Sequence, residues 1–572
     1  MAFIDLTSSP EGDRMYTAVS DRSSESPIDV GPKVDDAPEI KSDQEKPCRT
    51  YLAQLDRTAM ERERLLRISR SNGGARPKRG REDDEDDIDK GSAVEFLKSQ
   101  PLKAPFGSNS RDRSMIDGSE QKRAKEDPLA LQYPNGVVKR TLVSGYARTV
   151  HDVTIEEVLQ PRILQTAVLS AFQWDYKWIL DKLFVNRTEL VFVIPDKDPD
   201  SRKRISNFLT KLPNARVCTP DMSGPINCMH SKLQLLFYKQ YLRVVIPTAN
   251  LTDYDWGEGA GVIENYMYIQ DFPLRSVPLD DPPQLPQFAT ELIYFLHKQN
   301  MFSDILSVLL KVVVWENVQN VQFIHSVGGK YSTDRELNRT GHPGLASAVC
   351  EFGADGSPVQ IDYLVSSLGS LSPSFTLNVY NSAKGKPTPL LAKPEFNERE
   401  YEEAKRNFRI YFPTHDTVAQ SKGGIDSGGT ICLSTKYWQK SEFPREIIRD
   451  ARSTRQKCLM HEKVMFIRFE NEKTSSDGTK IAGLVYVGSA NMSQSAWGLM
   501  TTSRSPKHAS LTIRNWECGV LIRAVSGRQT GSEFDMKTVP ETFAGILPIP
   551  MEIVNTQYNG KQPWFFMGKK EW

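Results

Sequence analysis

The chain has 572 residues and a formal net charge of +1, with 73 Lys and Arg against 72 Asp and Glu. This length is too great for a single hydrophobic core, so we expect two or more domains. The mean hydropathy is −0.46, and no apolar run approaches the roughly 18 residues of a membrane span, so we expect no membrane contact. The balanced charge excludes a global field toward nucleic acid, and any phosphate binding must come from local charge.

The seven cysteines show neither a C-x-x-C pair nor the spacing of a zinc site. This pattern favours free thiols in a reducing compartment over disulfides. We therefore expect no metal site built from these residues.

Residues 1–140 are rich in Ser, Asp, Pro, Lys and Arg and poor in aromatics, which predicts a disordered regulatory tail. Within it, Phe3–Leu6 is a short apolar stretch followed by Ser and acid, and it is similar to a SUMO-interacting motif, which binds by strand addition. A chance apolar cluster is the alternative. Arg76–Arg81 is a compact basic cluster that predicts nuclear localisation, with ordinary disordered charge as the alternative.

Patterns from about residue 141 predict alternating helices and strands. A capping box at Thr154–Glu157 opens a short helix that Pro161 ends. Further apolar patterns predict a helix over 163–183, strands over 189–195 and 244–247, a long helical region over about 286–312 and a strand over 317–325. The alternation indicates an α/β layered architecture. A domain boundary near 316 divides the ordered chain into 141–316 and 317–572.

The most informative feature is a repeat. Thr248–Gly257 and Ser489–Gly498 are near-copies with a small-residue-Ala-Asn start and a Trp-Gly end. A Met-His-x-Lys stretch precedes each copy, at Met229–Lys232 and Met460–Lys463. The same order of motifs, occurring twice, predicts one active site built between two similar domains.

The repeated residues suit phosphate chemistry. His and Lys two positions apart point to the same face of an extended strand, so each half projects an imidazole beside an ammonium. Asn250 and Asn491 end the next strand, where a side-chain amide and a helix N-terminus can both donate to an anion. One His-x-Lys is common by chance, but the joint pattern is not. Trp256 and Trp497 are expected to pack under the loop rather than stack on bases.

Each half also has a carboxylate at the start of a later apolar strand, Glu264 in the first and Glu517 in the second. A carboxylate bonded to one imidazole nitrogen fixes the tautomer and raises the basicity of the other nitrogen. A nucleophilic or acid–base His requires this arrangement.

The doubled pattern resembles the phospholipase D superfamily over about residues 141–572. The family's Asp five residues after the Lys is replaced here by Phe237 and Arg468, which matches the tyrosyl-DNA phosphodiesterase branch of the 3′-acting type. The resemblance implies two similar phospholipase-D-like α-β-α domains related by pseudo-two-fold symmetry. Where the family often has a Gln eleven residues after the first Asn, this chain has Gly261, and we expect Glu264 to substitute for it.

The resemblance also implies a mechanism. His230, oriented by Glu517, attacks the phosphorus of a DNA 3′-phosphotyrosyl bond and forms a phosphohistidine. His461 donates a proton to the leaving tyrosine and then activates water, which leaves a 3′-phosphate. The phosphoryl oxygens are held, without metal or other cofactor, by Lys232, Lys463, Asn250 and Asn491.

The expected partners follow from the same resemblance. They are single- or double-stranded DNA with a blocked 3′ end and a topoisomerase I-derived peptide, bound by a monomer. Family similarity places Ser366, Ser367 and Ser370 on the DNA side, and Phe172 and Phe566 are expected to line the cleft. Two alternatives remain at this point: a phospholipase-D-like hydrolase of lipid or unmodified DNA, and a non-enzymatic scaffold.

Overall fold

The computed structural model describes residues 131–196, 199–356, 358–387, 396–475, 477–502, 509–526, 538–554 and 556–566. The expected SUMO-interacting motif at Phe3–Leu6 and the basic cluster at Arg76–Arg81 lie outside these residues. All the described residues belong to the unit that runs from Ala53 to Trp572.

A first sheet of eight strands uses residues 137–273, in the order β2-β1-β10-β8-β7-β3-β4-β5. Its strands are β1 (Val137–Thr141), β2 (Asp152–Val153), β3 (Thr166–Ser170), β4 (Glu189–Val193), β5 (Ala215–Cys218), β7 (Gln234–Phe237), β8 (Tyr241–Pro247) and β10 (Tyr266–Pro273). β3, β4 and β5 are parallel neighbours, whereas β7, β8 and β10 form an antiparallel meander.

A second large sheet uses residues 321–525, with the path β11-β23-β20-β19-β13-β15-β17. Its strands are β11 (Val321–Ser326), β13 (Val359–Leu364), β15 (Phe408–Tyr411), β17 (Ile448–Arg449), β19 (Val464–Thr474), β20 (Lys480–Gly488) and β23 (Asn515–Val525). The remaining short strands are β6 (Cys228–Met229), β9 (Ile263–Glu264), β12 (Gly329–Tyr331), β14 (Ser367–Leu368), β16 (Cys432–Leu433), β18 (Leu459–Met460), β21 (Leu499–Thr502) and β22 (Ala509–Ile513). The domain boundary near 316 stays a prediction.

Helices occupy the segments between the strands. They are α1 (Ile155–Leu159), α2 (Tyr176–Asp181), α3 (Pro199–Leu209), α4 (Gln287–Lys298), α5 (Ser303–Lys311), α6 (Asp334–Leu337), α7 (Gly341–Glu351), α8 (Pro373–Ala383), α9 (Glu398–Asn407), α10 (His415–Ala419), α11 (Thr435–Trp438), α12 (Gln494–Trp497) and α13 (Val539–Phe543), with 3₁₀ turns at Gly424–Ser427 and Arg445–Ile447. In the described part of the chain, no helix combines the length and apolarity needed to cross a membrane.

The expected helix over 163–183 is wrong. Thr166–Ser170 forms β3, a central strand with neighbours on both sides, and only Tyr176–Asp181 is helical. The sequence Thr-Ala-Val-Leu-Ser is a short apolar run, and such a run cannot be assigned to helix or strand by its periodicity. The strand is buried on both faces, which removes the alternation that would have marked it.

Other local expectations hold. Thr154 caps α1 through a reciprocal capping box with Glu157, and the helical region over 286–312 consists of α4 and α5, separated at Asn300 by a left-handed φ of 61°. β19 and β20 pair as an antiparallel hairpin, in which β19 ends at Thr474 and β20 begins at Lys480.

Candidate active site

The two His-x-Lys motifs meet because each half of the chain lends a short strand to the other. β6 pairs in parallel with the start of β23, which sets Met229 opposite Trp516. β18 pairs in parallel with β9, which sets Met460 opposite Glu264. Each motif then leads directly into a strand of its own sheet, β7 or β19. This reciprocal exchange carries each catalytic imidazole toward residues of the opposite half.

The His230 imidazole contacts a carboxylate from the second half. Nδ1 of His230 lies 2.8 Å from Oε2 of Glu517, and both side chains are buried. The same Oε2 accepts a hydrogen bond of 2.5 Å from the Ser489 hydroxyl, and Oε1 accepts one of 2.9 Å from the Asn515 amide. With Glu517 held in this way, Nδ1 of His230 is the protonated nitrogen and Nε2 is the nitrogen with a free lone pair.

Burial, aided by the ammoniums of Lys232 and Lys463, lowers the pKa of His230 to about 4 against the opposing effect of Glu517. Burial also disfavours the charge on Glu517, but His230 and Lys232 outweigh that effect and lower the pKa of this carboxyl. At neutral pH the pair is therefore a neutral imidazole that donates to a carboxylate. A neutral imidazole is the form that can attack phosphorus.

The His461 imidazole has a different partner. Its Nδ1 lies 3.1 Å from Oδ1 of Asn265 and 3.5 Å from Oδ2 of Asp255, and its backbone N–H donates to the Glu264 carbonyl at 3.0 Å. The corresponding backbone N–H of His230 donates to the carbonyl of Trp516, also at 3.0 Å. Glu264 is thus the structural equivalent of Trp516, and Asn265 is the equivalent of Glu517.

A second set of matched contacts gives the same correspondence. The Thr248 hydroxyl donates to Oδ1 of Asn265 at 2.7 Å, as the Ser489 hydroxyl donates to Glu517. The backbone N–H of the residue after Asn265 or Glu517 donates back to that hydroxyl at 3.0 Å in both halves. These hydrogen bonds match between the two half-sites, with an amide in one where the other has a carboxylate.

The expectation that Glu264 orients His461 is therefore not met. The Glu264 side chain points away from the imidazole, accepting a 2.8 Å hydrogen bond from Ser453 and lying 3.1 Å from Nη1 of Arg455. Successive side chains of a strand face opposite sides, so a one-residue error in alignment places the wrong residue in the site. Glu264 belongs to a buried charge cluster that also contains Arg140 and Asp152.

Both motif lysines are buried beside the imidazoles. Nζ of Lys232 donates to the His230 carbonyl at 2.9 Å, and Nζ of Lys463 donates to the His461 carbonyl. Burial lowers the pKa of Lys232. Burial and then the positive charge of Lys232 lower the pKa of Lys463. An anionic phosphoryl group placed between them would relieve this repulsion.

The two asparagines are oriented by loops of their own halves. Oδ1 of Asn491 accepts from the backbone N–H groups of Ser366 and Ser367 at 3.1 and 2.9 Å, and Oδ1 of Asn250 accepts from the Gln173 N–H at 3.2 Å. Because each amide oxygen is engaged, the NH₂ group is the part of each side chain that can bind a phosphoryl oxygen. In Asn250 this group already donates to Oδ2 of Asp255 at 2.8 Å and makes a longer contact of 3.4 Å with Oε1 of Gln173, which a phosphoryl oxygen would have to replace. Residues 251–257, directly after Asn250, include bends and turns but no helix. The expected helix N-terminus follows Asn491 only, where the short α12 begins.

The phenylalanines and serines that were expected to line the cleft do not all lie near the catalytic motifs. The Phe172 ring lies 5.2 Å from the His230 ring, which places it in the site. Ser366 and Ser367 contact Asn491, whereas Ser370 is half-buried farther along the same loop, and Phe566 is half-buried near the end of the described chain. Trp256 and Trp497 are core residues as expected, and their indole N–H groups donate to the Asn250 carbonyl and to Tyr363.

Three residues near the catalytic side chains escaped the sequence analysis: Asp255, Asn265 and Gln173. Asp255 lies inside the first repeat, and Ala496 at the same place in the second copy hid its importance. Aligning Glu517 with Asn265, and not with Glu264 one residue earlier, would have identified Asn265. Gln173 has no sequence signal. The described residues contain no group of three or more His, Cys, Asp or Glu side chains that could hold a metal ion.

Two named proteins are similar to this chain in sequence. The chain is 26% identical to Tyrosyl-DNA phosphodiesterase 1 of Arabidopsis thaliana over 64% of this chain and 58% of that protein, so it spans less than two thirds of that relative. It is 25% identical to Tyrosyl-DNA phosphodiesterase 1 of Drosophila melanogaster over 73% of this chain and 70% of that protein.

The fold is shared with a solved structure. A crystal structure of a mutant yeast tyrosyl-DNA phosphodiesterase matches with a TM-score of 0.50 and 19% identity over 68% of this chain and 89% of that chain. This likeness confirms the expected α/β fold of two phospholipase-D-like halves. The family model described as tyrosyl-DNA phosphodiesterase matches residues 137–559, which is most of the chain, and the chain therefore belongs to the tyrosyl-DNA phosphodiesterase family.

Proposed function

We propose that this chain is a DNA repair phosphodiesterase that hydrolyses the bond between a DNA 3′-phosphate and a tyrosine side chain. One observation carries the proposal: two buried imidazoles are each held at Nδ1 by a residue of the opposite half, and each is followed two positions later by a buried lysine. A nucleophile and a separate acid–base group around a cationic phosphate site are what a two-step displacement at phosphorus requires.

In the first step, Nε2 of His230 attacks phosphorus, the bond from phosphorus to the tyrosine oxygen breaks, and His461 gives its proton to that oxygen. In the second step, a water molecule attacks the phosphohistidine and gives a proton to His461. The P–N bond breaks, which restores neutral His230 and releases a 3′-phosphate. Each step therefore leaves His461 in the protonation state that the other step requires.

Charge developing on the phosphoryl oxygens is neutralised by Lys232 and Lys463 and bound by the amides of Asn250 and Asn491. Two ammoniums and a nitrogen nucleophile can perform both steps without a metal ion, so we propose that the reaction is metal-independent. The tyrosine phenol has a pKa of about 10, and protonation by a general acid should accelerate its departure by on the order of 10²–10⁴-fold.

The substrate class extends this proposal. The loop of Ser366 and Ser367 holds Asn491 through its backbone N–H groups and carries hydroxyls beside it, and small hydroxyls suit the phosphates of a DNA strand, single or double, with a blocked 3′ end. A topoisomerase I-derived peptide would carry the tyrosine. The basic cluster Arg76–Arg81 supports action in the nucleus, and Phe3–Leu6 supports a SUMO contact. Nuclear imaging of the chain with and without Arg76–Arg81 tests the first of these assignments.

The test of function uses a labelled single-stranded oligonucleotide that ends in 3′-phosphotyrosine, incubated with the full chain in excess EDTA. We expect conversion to the 3′-phosphate, with no conversion by the His230→Ala variant. If the wild-type chain is active and the His230→Ala variant keeps substantial turnover, His230 is not the nucleophile. A folded wild-type chain without turnover would reject the proposal, and phosphatidylcholine and unmodified DNA would then test the phospholipase-like alternative.

A further inference from the structure

The middle residue of the second His-x-Lys motif differs in kind from that of the first. It is Glu462, where the first motif has Ser231, and both side chains are fully buried. Neither carboxyl oxygen of Glu462 accepts a hydrogen bond from another described residue. An ionised carboxylate without partners is costly to bury, so the Glu462 carboxyl requires either a cation or a proton.

The guanidiniums near Glu462 are already paired with other carboxylates. Nε of Arg140 donates to Oδ1 of Asp152 at 2.7 Å, and Nη2 of Arg455 donates to the same oxygen. Nη1 of Arg455 lies 3.1 Å from Oε2 of Glu264. The cluster thus sets two guanidiniums against three carboxyls, and Glu462 is the carboxyl that is left without a guanidinium.

Glu264 offers an acceptor for a proton on Glu462. Oε1 of Glu264 accepts a hydrogen bond of 2.8 Å from the Ser453 hydroxyl, whereas Oε2 accepts none. Burial and then the charge of Glu264 raise the pKa of Glu462 well above its usual value. A protonated Glu462 that donates to Oε2 of Glu264 would supply the missing donor. It would also leave two negative charges opposite the two guanidiniums.

The two carboxyls lie on the strands that bring His461 to the site. Glu264 ends β9, and Glu462 lies two residues after the end of β18. The pairing of these strands includes hydrogen bonds from the Leu459 N–H to the Val262 carbonyl at 2.8 Å and from the His461 N–H to the Glu264 carbonyl at 3.0 Å. A second negative charge on Glu462 would therefore repel a residue that holds the His461 backbone.

We propose that one proton, carried by Glu462 and shared with Glu264, stabilises the β9–β18 pairing and makes the position of His461 dependent on pH. At neutral pH the proton is in place and the pairing is intact. As the pH rises the proton leaves to solvent, the two carboxylates repel each other and the pairing weakens. The first half-site has no such dependence, because Ser231 does not ionise. The proposal concerns how the halves are joined and holds for any substrate of the site.

The charged and titratable groups that face the two carboxyls come from both halves. They are Arg140, Tyr146, Asp152 and Tyr266 of the first half and Arg455, Cys458 and Lys463 of the second. Burial, and then the charges of the two carboxyls, raise the pKa of Tyr266 and of the Cys458 thiol, so both stay neutral up to high pH.

Lys463 acts with the opposite sign to Glu462. Burial and then the charge of Lys232 lower the pKa of Lys463, so where Lys463 titrates the unfolded chain binds the extra proton and stability rises with pH. The pKa of Glu462 is raised, so above its ordinary value of 4.5 the folded chain carries a proton that the unfolded chain lacks. Stability therefore falls as the pH rises toward the folded-state pKa of Glu462.

The first experiment compares the full chain with its Glu462→Gln variant in urea titrations. Gln stays neutral at every pH, and its NH₂ group can donate to Oε2 of Glu264. Between about pH 5 and 9 we expect the unfolding equilibrium constant of the wild-type chain to rise, relative to that of the variant, about tenfold per pH unit until Glu462 ionises in the folded chain. The same pH dependence in both proteins would overturn the proposal.

The second experiment measures hydrogen exchange in the two strand pairings. Protection of the segment Leu459–Lys463, corrected for the intrinsic rate at each pH, should fall as the pH is raised in the wild-type chain and stay constant in Glu462→Gln. The matched control is Cys228–Lys232, where the His230 N–H donates to the Trp516 carbonyl, and its protection should not change in either protein. Equal loss in both segments, or loss in neither, would contradict the proposal.

The third experiment detects the proton directly. Infrared spectra of the chain labelled with ¹³C in the Glu carboxyl groups should show the carbonyl stretch of a protonated carboxyl at neutral pH, and Glu462→Gln should lack it. Glu264→Gln removes the neighbouring charge, so this band should disappear at a lower pH than in the wild-type chain. Absence of the band from the wild-type chain, or an unmoved band in Glu264→Gln, would overturn the shared proton.

Discussion

Glu517 lies 2.8 Å from Nδ1 of His230, although the two residues are 287 positions apart in the chain. The contact is possible because β6 adds to the start of β23, one residue before Glu517. The orientation of the His230 imidazole in one half thus depends on a carboxylate in the other.

Replacement of Glu517 by Gln should slow the reaction without weakening DNA binding. Gln keeps the shape but removes the acceptor charge that makes Nε2 of His230 basic. We expect kcat/KM for the 3′-phosphotyrosyl oligonucleotide to fall by on the order of 10²–10⁴-fold. Affinity for the matching 3′-hydroxyl oligonucleotide, measured by fluorescence anisotropy, should stay unchanged. A loss of affinity at an unchanged rate would remove Glu517 from this role.

The His461→Asn variant should accumulate a protein–DNA adduct. Hydrolysis of the phosphohistidine needs a base to activate water, and Asn cannot supply one. We expect a band of increased mass on a denaturing gel after incubation with the tyrosyl substrate. The double variant His230→Ala, His461→Asn is the control and should give no such band. An inactive His461→Asn variant without any adduct would reverse the roles of the two imidazoles.

Gly519→Ala should destabilise the protein. Gly519 pairs with Gly488 across β23 and β20, and a Cβ atom there would lie 2.3 Å from the Tyr486 ring. The Tyr486 hydroxyl accepts a hydrogen bond of 3.2 Å from the backbone N–H of Ala490. Displacement of Tyr486 would therefore also disturb the loop that carries Asn491. We expect a loss of about 1–3 kcal/mol in unfolding free energy, measured in urea. Gly545→Ala is the control, since a Cβ atom there meets nothing within 4 Å.

The unfolding free energy should decrease as the pH is lowered, because of a buried histidine remote from the site. His342 is buried in α7, with Nδ1 2.9 Å from the Ser382 hydroxyl of α8, and burial lowers its pKa from 6.5 to about 3. Between these two pH values the unfolded chain binds a proton that the folded chain does not. The unfolding free energy therefore decreases as pH falls through this window, by about 1.4 kcal/mol per pH unit for this group.

The matched variant is His342→Asn, which can keep the contact with Ser382 but cannot bind the proton. Urea titrations at several pH values should show a shallower acid-side slope for this variant, by about the amount of one proton. Identical slopes in the two proteins would show that His342 does not carry the effect.

The sequence predicts the repeated residues of the site and Glu517, but not the other side chains that hold them. His230, Lys232 and Asn250 were found because the same pattern recurs with His461, Lys463 and Asn491, and repetition makes chance agreement improbable. Their supporting partners do not repeat. Asn265 stands where the other copy has Glu517 and Asp255 where it has Ala496, so a search for identical residues in the two halves does not reveal either.

The fold shows a similar limit. Architecture followed from alternating helices and strands, and α1 followed from its capping box, because these signals are local. β3 was mistaken for a helix, since its place between β4 and β7 depends on residues far along the chain. The pairings β6–β23 and β9–β18 have no local signal, yet they determine which residue faces each imidazole.

The reciprocal strand exchange has a consequence for how the molecule can move and how it can be divided. Opening the site by hinging the halves apart would break both short ladders, so substrate entry must proceed with the halves joined. The two halves of the chain contact each other as the subunits of an isologous dimer do, because each half supplies the residue that holds the other half's imidazole. Neither half, produced separately, would contain a fully oriented imidazole, and activity could return only when the two are recombined.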